Sequence, residues 1–124
     1  MNKMPSLDQQ RAAYAWKVVQ GQNGEYGKLA KGAPALIMNN GLMQALAFYE
    51  EKGKAHQAAL NKHIIDWLWE RRFRRDEGVA PTRDSFGQMM AYLQNDADSQ
   101  TYRKATEETL ALLRWIRQFA AISR

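Results

Sequence analysis

Apolar residues recur along this chain at helical spacing, and their densest run lies between Pro34 and Glu51. At about 100° per residue, Ile37, Met38, Gly41, Leu42, Ala45, Leu46, Phe48 and Tyr49 share one continuous arc around a helix. That arc is wider than the stripe of an ordinary surface helix, so residues 34–51 are expected to form a central, largely covered helix. Pro34 suits its first turn, where the missing N–H costs nothing, and Gly53 suits its stop. Gly41 and Ala45 sit one turn apart on the arc, where small side chains admit a close neighbour.

The flanking segments repeat the pattern. Ser6-Leu7-Asp8-Gln9 reads as a capping box opening a helix over residues 7–20, with Leu7, Tyr14, Ala15, Val18 and Val19 inward and Trp16 at the edge. Gly21 to Gly24 ends it, and a short helical turn over 25–31 follows. Residues 56–73 carry two stripes: Leu60, Ile64, Trp67 and Leu68 on one side, Ala58, Ile65, Trp69 and Phe73 on another. Either this helix is sandwiched or Ile65 and Trp69 face a partner. Gly78 to Pro81 is the longest loop. A helix over 84–94 presents Phe86, Met89, Met90 and Leu93, with Asp84 in its first turn, and Asn95 to Ser99 supplies turn and N-cap chemistry. The last helix, 99–122, buries Tyr102, Ala105, Thr109, Leu112, Leu113, Ile116, Phe119 and Ala120. Its solvated side is Arg103, Lys104, Glu107, Glu108, Arg114 and Gln118, and Trp115 breaks the pattern by falling there. No segment alternates like a strand. The expected fold is an all-α, compact, single-domain bundle of about five to six helices.

Composition adds little to the fold and more to the partners. The 124 residues are enough for one domain with a real core, and cysteine is absent, which suits a reducing compartment. Met1 to Pro5 shows no apolar run behind its lysine, so no signal peptide is expected. No run approaches the ~18 apolar residues of a membrane span, and a cytoplasmic location is expected. Eighteen Lys and Arg against 13 Asp and Glu give a net charge of +5, which invites a polyanion through counterion release.

Reactive chemistry finds little support in the sequence. His56 and His63 lack the i, i+4 spacing of a helical zinc pair. His63 and Asp66, at i, i+3, could form an acid–base couple, though such pairs are usually surface hydrogen bonds. Glu107 and Glu108 follow Arg103 and Lys104 at i, i+4, as in ordinary surface pairing. The glycines match neither a P-loop nor a dinucleotide fingerprint, so no cofactor and no metal is expected. The run Glu70-Arg71-Arg72-Phe73-Arg74-Arg75 has two readings, and both stand open. Arginines in a last helical turn complement the macrodipole, and Arg74 can pair with Glu70. The same guanidinium forks, with Trp69 and Phe73 alongside, also suit phosphate. Lys62 shares the helix and Arg83 follows the loop. The candidate nucleic-acid contacts are therefore Lys62, Arg71, Arg72, Arg74 and Arg75. The candidate partner surface is Trp16, Ile65, Trp69 and Trp115.

Three blocks resemble one family: Leu7 to Trp16, Pro34 to Gly53 with its Asn40-Gly41-Leu42 and Ala47-Phe48-Tyr49, and Tyr102 to Ala120 with Leu112-Leu113-Arg114-Trp115-Ile116. In that order they resemble the small subunit of the type III-B CRISPR effector, subunit five of the Cmr complex. The segment from about Arg74 to Ala97 carries little of the likeness. The resemblance implies an all-α subunit without catalytic activity, stacked in several copies beside the subunits that carry guide RNA and helping to hold target RNA, in antiviral defence. It implies guide RNA, target RNA, the other Cmr subunits and neighbouring copies of the chain as partners, with no membrane and no small-molecule substrate. Sequence recognition would then rest on base pairing, with protein contacts going to backbone and shape. It supplies no catalytic motif and no RNA-contact motif for the arginines. Two other classes remain as alternatives. One is a small metal-dependent nuclease or hydrolase using His63 and nearby carboxylates. The other is a membrane-surface or partner-binding amphipathic helix from Leu60 to Arg75.

Overall fold

Ser6 opens the first helix by a reciprocal pair of hydrogen bonds. Its hydroxyl accepts from the Gln9 N–H at 3.1 Å, and its own N–H donates to Gln9 Oε1 at 2.6 Å. The structure is a computed structural model that describes residues 4–71 and 85–123. Its helices are α1 (Leu7–Val19), α2 (Gly24–Asn40), α3 (Leu42–Lys52), α4 (Ala55–Glu70), α5 (Ser85–Ala91) and α6 (Ser99–Ile122). A π-helical turn, Tyr92–Asp96, prolongs α5. Among the described residues there is no strand, so the fold is all-α and compact as expected. None of the described helices is long and apolar enough to cross a membrane.

The expected central helix is two helices. Gly41 adopts φ 90 and ψ 159, a conformation open essentially to glycine alone, and separates α2 from α3. Gly41 therefore serves as a break, not as a gap for a close neighbour. The broken register also splits the predicted arc: Ile37, Leu42, Ala45, Leu46 and Tyr49 are buried, but Met38 is 73% and Phe48 41% exposed. Upstream, α2 begins at Gly24, capped by the Asn23 side chain, and runs through Pro34. The expected short turn over 25–31 is thus its first half. Ala30, Ala33 and Ile37 are buried on either side of Pro34, and this packing carries the helix past the lost N–H.

Gly41 has no side chain to cap α3, and the cap comes from far along the chain. The Tyr102 hydroxyl, on α6, accepts the Met43 N–H at 3.0 Å. Tyr102→Phe should therefore cost about 1 kcal/mol by leaving that donor unpaired, read as a lower urea midpoint at unchanged slope.

The helix α4 is sandwiched. Leu60, Ile64, Trp67 and Leu68 are buried, and so are Ile65 at 1% and Trp69 at 6% exposure. Within the second stripe, Ile65 and Trp69 are covered from within the chain, where the π-helical turn brings Tyr92 edge-on to Trp69 at 6.1 Å, while Ala58 is exposed. Ile65 and Trp69 are accordingly core residues and not a free partner surface. Asn61, also buried, donates from Nδ2 to the Leu46 carbonyl at 2.8 Å and ties α4 to α3. Its last turn closes at Arg71, whose N–H donates to the Trp67 carbonyl. Phe73, Gly78 to Pro81 and Asp84 lie outside the described residues.

The last helix, α6, starts where Asp98 accepts the Thr101 N–H at 2.7 Å. It buries Ala105, Thr109, Leu112, Leu113 and Ile116 and lies against α1, α2 and α4. The α1–α6 pair is the most extensive among the described helices.

Candidate nucleic-acid and partner surfaces

Glu108 was placed by its spacing on the solvated side of α6; it is buried, with only 8% of its surface exposed. Arg11, on α1, grips its carboxylate with both arms of the fork, Nε to Oε2 at 2.7 Å and Nη2 to Oε1 at 2.8 Å. Trp67 of α4 adds its indole N–H to Oε2 at 2.8 Å. Burial pushes the Glu108 pKa up, but the hydrogen bonds from Arg11 and Trp67, with the charges of Arg11 and Arg71, hold it below the usual carboxylate value. The expected surface pairing with Lys104 does not form, because its partner is turned inward.

The C-terminal end of α4 is partly committed to the fold. Arg71 is half-buried, donates from Nη1 to Gln10 Oε1 at 3.0 Å and lies 5.6 Å from the Trp67 ring centroid. Lys62 is exposed and paired with Asp66 at 2.7 Å. Nine residues separate Lys62 from Arg71, about two and a half helical turns, so they leave α4 on opposite sides. Arg72, Arg74, Arg75 and Arg83 lie outside the described residues.

Taking the Asp66 carboxylate also removes the proposed partner of His63. His63 Nδ1 instead meets the buried Tyr26 hydroxyl at 2.7 Å, and the Tyr14 hydroxyl donates to the His63 carbonyl at 2.7 Å. Among the described residues no hydrogen bond joins His63 to Asp66, and no cluster of three or more metal-ligating side chains forms. Burial is the main influence on His63 and lowers its pKa from 6.5; Asp66 opposes this and Lys62 adds to it. The sign follows from linkage: an unfolded chain takes up this proton at higher pH than the folded one. The stability tied to neutral His63 is present above pH 6.5 and is lost as pH falls through the lowered folded value. His63→Gln should therefore flatten the decline in urea midpoint between about pH 7.5 and about pH 5.5.

Of the partner candidates, Trp16 and Trp115 reach the surface. Trp16 is 47% exposed and sits edge-on to Phe119 at 5.2 Å, while Trp115 also packs against Phe119, tilted, at 5.4 Å. Trp115 falls on the polar side because Asp8 of α1 accepts its indole N–H at 3.0 Å. Ile122, three residues beyond Phe119 and so on the same side of α6 by helical spacing, is 64% exposed. Beside it, between α1 and α6, an open groove of about 550 Å³ is lined by Arg11, Lys104, Glu107, Ala111 and Arg114. The sequence held one signal for this site: Trp115 and Glu108 lie one heptad apart, so a tryptophan on a polar face marked the side that α1 covers.

Residues 7–123 match the model of a family described as CRISPR-associated protein (Cas_Cmr5). A curated relative, the CRISPR system Cmr subunit Cmr5 of Thermus thermophilus, is 31% identical over 97 residues, which cover 78% of this chain and 73% of the relative.

Proposed function

The chain belongs to the Cas_Cmr5 family of CRISPR-associated proteins, and from that premise we propose that it is a non-catalytic small subunit of an RNA-guided Cmr complex. In this role it stacks in several copies beside the guide-RNA backbone and helps to hold target RNA for antiviral defence in the cytoplasm. The observation that carries the reading is the family match along nearly the whole chain. The helical block supports it, since its buried polar groups serve packing: Glu108 joins α1, α4 and α6, and Asn61 joins α3 and α4. RNA contacts fall to Lys62 on α4 and to the run Arg71, Arg72, Arg74 and Arg75 that follows it in sequence, with Arg71 also bracing Trp67 and Gln10. Contacts with sibling subunits fall to Trp16 and Trp115.

Tagged protein purified gently from its host should bring down guide RNA and the other subunits. Recovery of the chain alone, under conditions that keep large complexes intact, would refute the reading. Trp16→Ala should weaken co-purification well beyond its effect on the melting temperature, because about half of the residue already meets water and its edge-on contact with Phe119 is worth about 0.5–1.5 kcal/mol.

A further inference from the structure

We propose that the solvent face of α6 is a second phosphate-binding track, formed by Arg103, Lys104, Arg114 and Arg117 and separate from the C-terminal end of α4. This rests on the reading that the subunit meets RNA, and it names where the backbone would lie. All four side chains are exposed. Among the described residues no carboxylate is in ion-pair contact with any of them. At about 100° per residue they fan over an arc of about 140° on one side of the helix. Along the axis they span about 21 Å, long enough to follow several consecutive phosphates.

Two ordinary explanations for such a charged face fail here. Surface arginines and lysines on a helix are commonly balanced by acids at i, i+4. The only acids on α6 are Glu107 and Glu108, and Glu108 is sealed beneath Arg11 and Trp67. Lys104 thereby loses its i, i+4 partner, Arg103 has the exposed Glu107 at that spacing but no ion pair joins them, and Arg114 and Arg117 face Gln118 and Ala121. Cations near a helix C-terminus can answer the macrodipole, but that influence fades within the last turn. The last turn of α6 holds no basic residue. The contrast with α4 is direct, since there Lys62 is neutralised by Asp66 and Arg71 is held against Trp67 and Gln10. Flexible lysine and forked arginine together suit a phosphate chain, read by charge and not by base.

The test titrates purified protein against a fluorescein-labelled single-stranded RNA of mixed sequence over a potassium chloride series. The variant R103Q/K104Q/R114Q/R117Q should melt like the parent, because none of the four is buried and, among the described residues, none has a side-chain hydrogen bond or ion pair. Its affinity near 0.1 M salt should fall at least about tenfold, and its log–log salt slope should flatten by about 3 units, at roughly 0.7 per lost phosphate contact. An unchanged slope in this variant, beside a flattened one in K62Q/R72Q/R74Q/R75Q, would overturn the α6 track and leave the RNA-holding role in place. No RNA binding by the parent chain would also overturn it, with recovery of guide RNA in the host pull-down deciding separately on the broader reading. A variant that keeps its RNA slope but loses the sibling subunits would reassign the face to protein docking and refute the proposal.

Discussion

Glu108→Gln is expected to lower the free energy of unfolding by about 3 kcal/mol, the low end of the cost of removing one partner from a buried ion pair. The amide can still accept from Trp67, but the Arg11 guanidinium keeps its charge and loses its counter-charge. The low end applies because the Arg11 side chain is 17% exposed and retains Asp8 at 3.2 Å. Urea unfolding should show a lower midpoint at unchanged slope. A loss below about 0.5 kcal/mol would mean that the pair behaves as an exposed one. Replacing both partners, Arg11→Met with Glu108→Leu, should recover much of the loss, since apolar substitutes for a whole buried pair are often near neutral. The remaining deficit would belong to the Trp67 indole N–H. The same carboxylate predicts acid sensitivity. Its folded pKa lies below 4.5, so its stabilisation is present above pH 4.5 and is lost as pH falls through the folded value. The Gln variant should lack that part of the acid decline.

Gly41→Ala is the second large effect, at about 2 kcal/mol of destabilisation. Space is not the issue, because an added Cβ would meet only the Tyr102 hydroxyl at 3.6 Å. The cost comes from the backbone, where φ 90 with ψ 159 strains any L-residue by about 1–3 kcal/mol. Gly32→Ala gives the opposite sign within the same α2–α3 unit. Gly32 lies inside α2, and beyond its own helical turn an added Cβ would meet none of the described residues within 4 Å, so alanine should stabilise by about 0.5–1 kcal/mol. Chemical denaturation of the two variants side by side checks both. If Gly41→Ala matched the parent, the junction would be a flexible bend and not a fixed one.

These residues show what could be read from the chain and what could not. Local chemistry was legible. The Ser6–Gln9 box, the Gly53 stop and the Asp98 cap formed because each involves partners within a few residues. The core stripes of α1, α4 and α6 were legible for the same reason, as period alone sets which side is apolar. Gly41 was misread because a glycine on an apolar arc fits either a close contact or a break, and only the positive φ distinguishes them. Periodicity alone puts Glu108 on the solvated side because its partner Arg11 is 97 residues away, with Trp115 one heptad on as the one contrary hint. Ile65 and Trp69 stand among the candidate partner residues because period alone cannot tell a partner from a cover within the chain, and the α5 segment packed on α4 leaves both buried. For the candidate surfaces, the sequence supplied the basic run after Trp69 but passed over α6, whose cations stand out only once Glu108 is known to face inward.

The pairing of α1 with α6 has a consequence for biosynthesis. The ribosome releases α1 first, yet its main packing surface and the counter-charge of Arg11 are about a hundred residues further on. A nascent chain stopped before Ser99 would hold α1 without its partner and α3 without the Tyr102 hydroxyl over its first turn. Docking of α1 against α6 is then a late step, and the side of α1 that meets α6 needs shelter from wrong contacts until translation has passed α6.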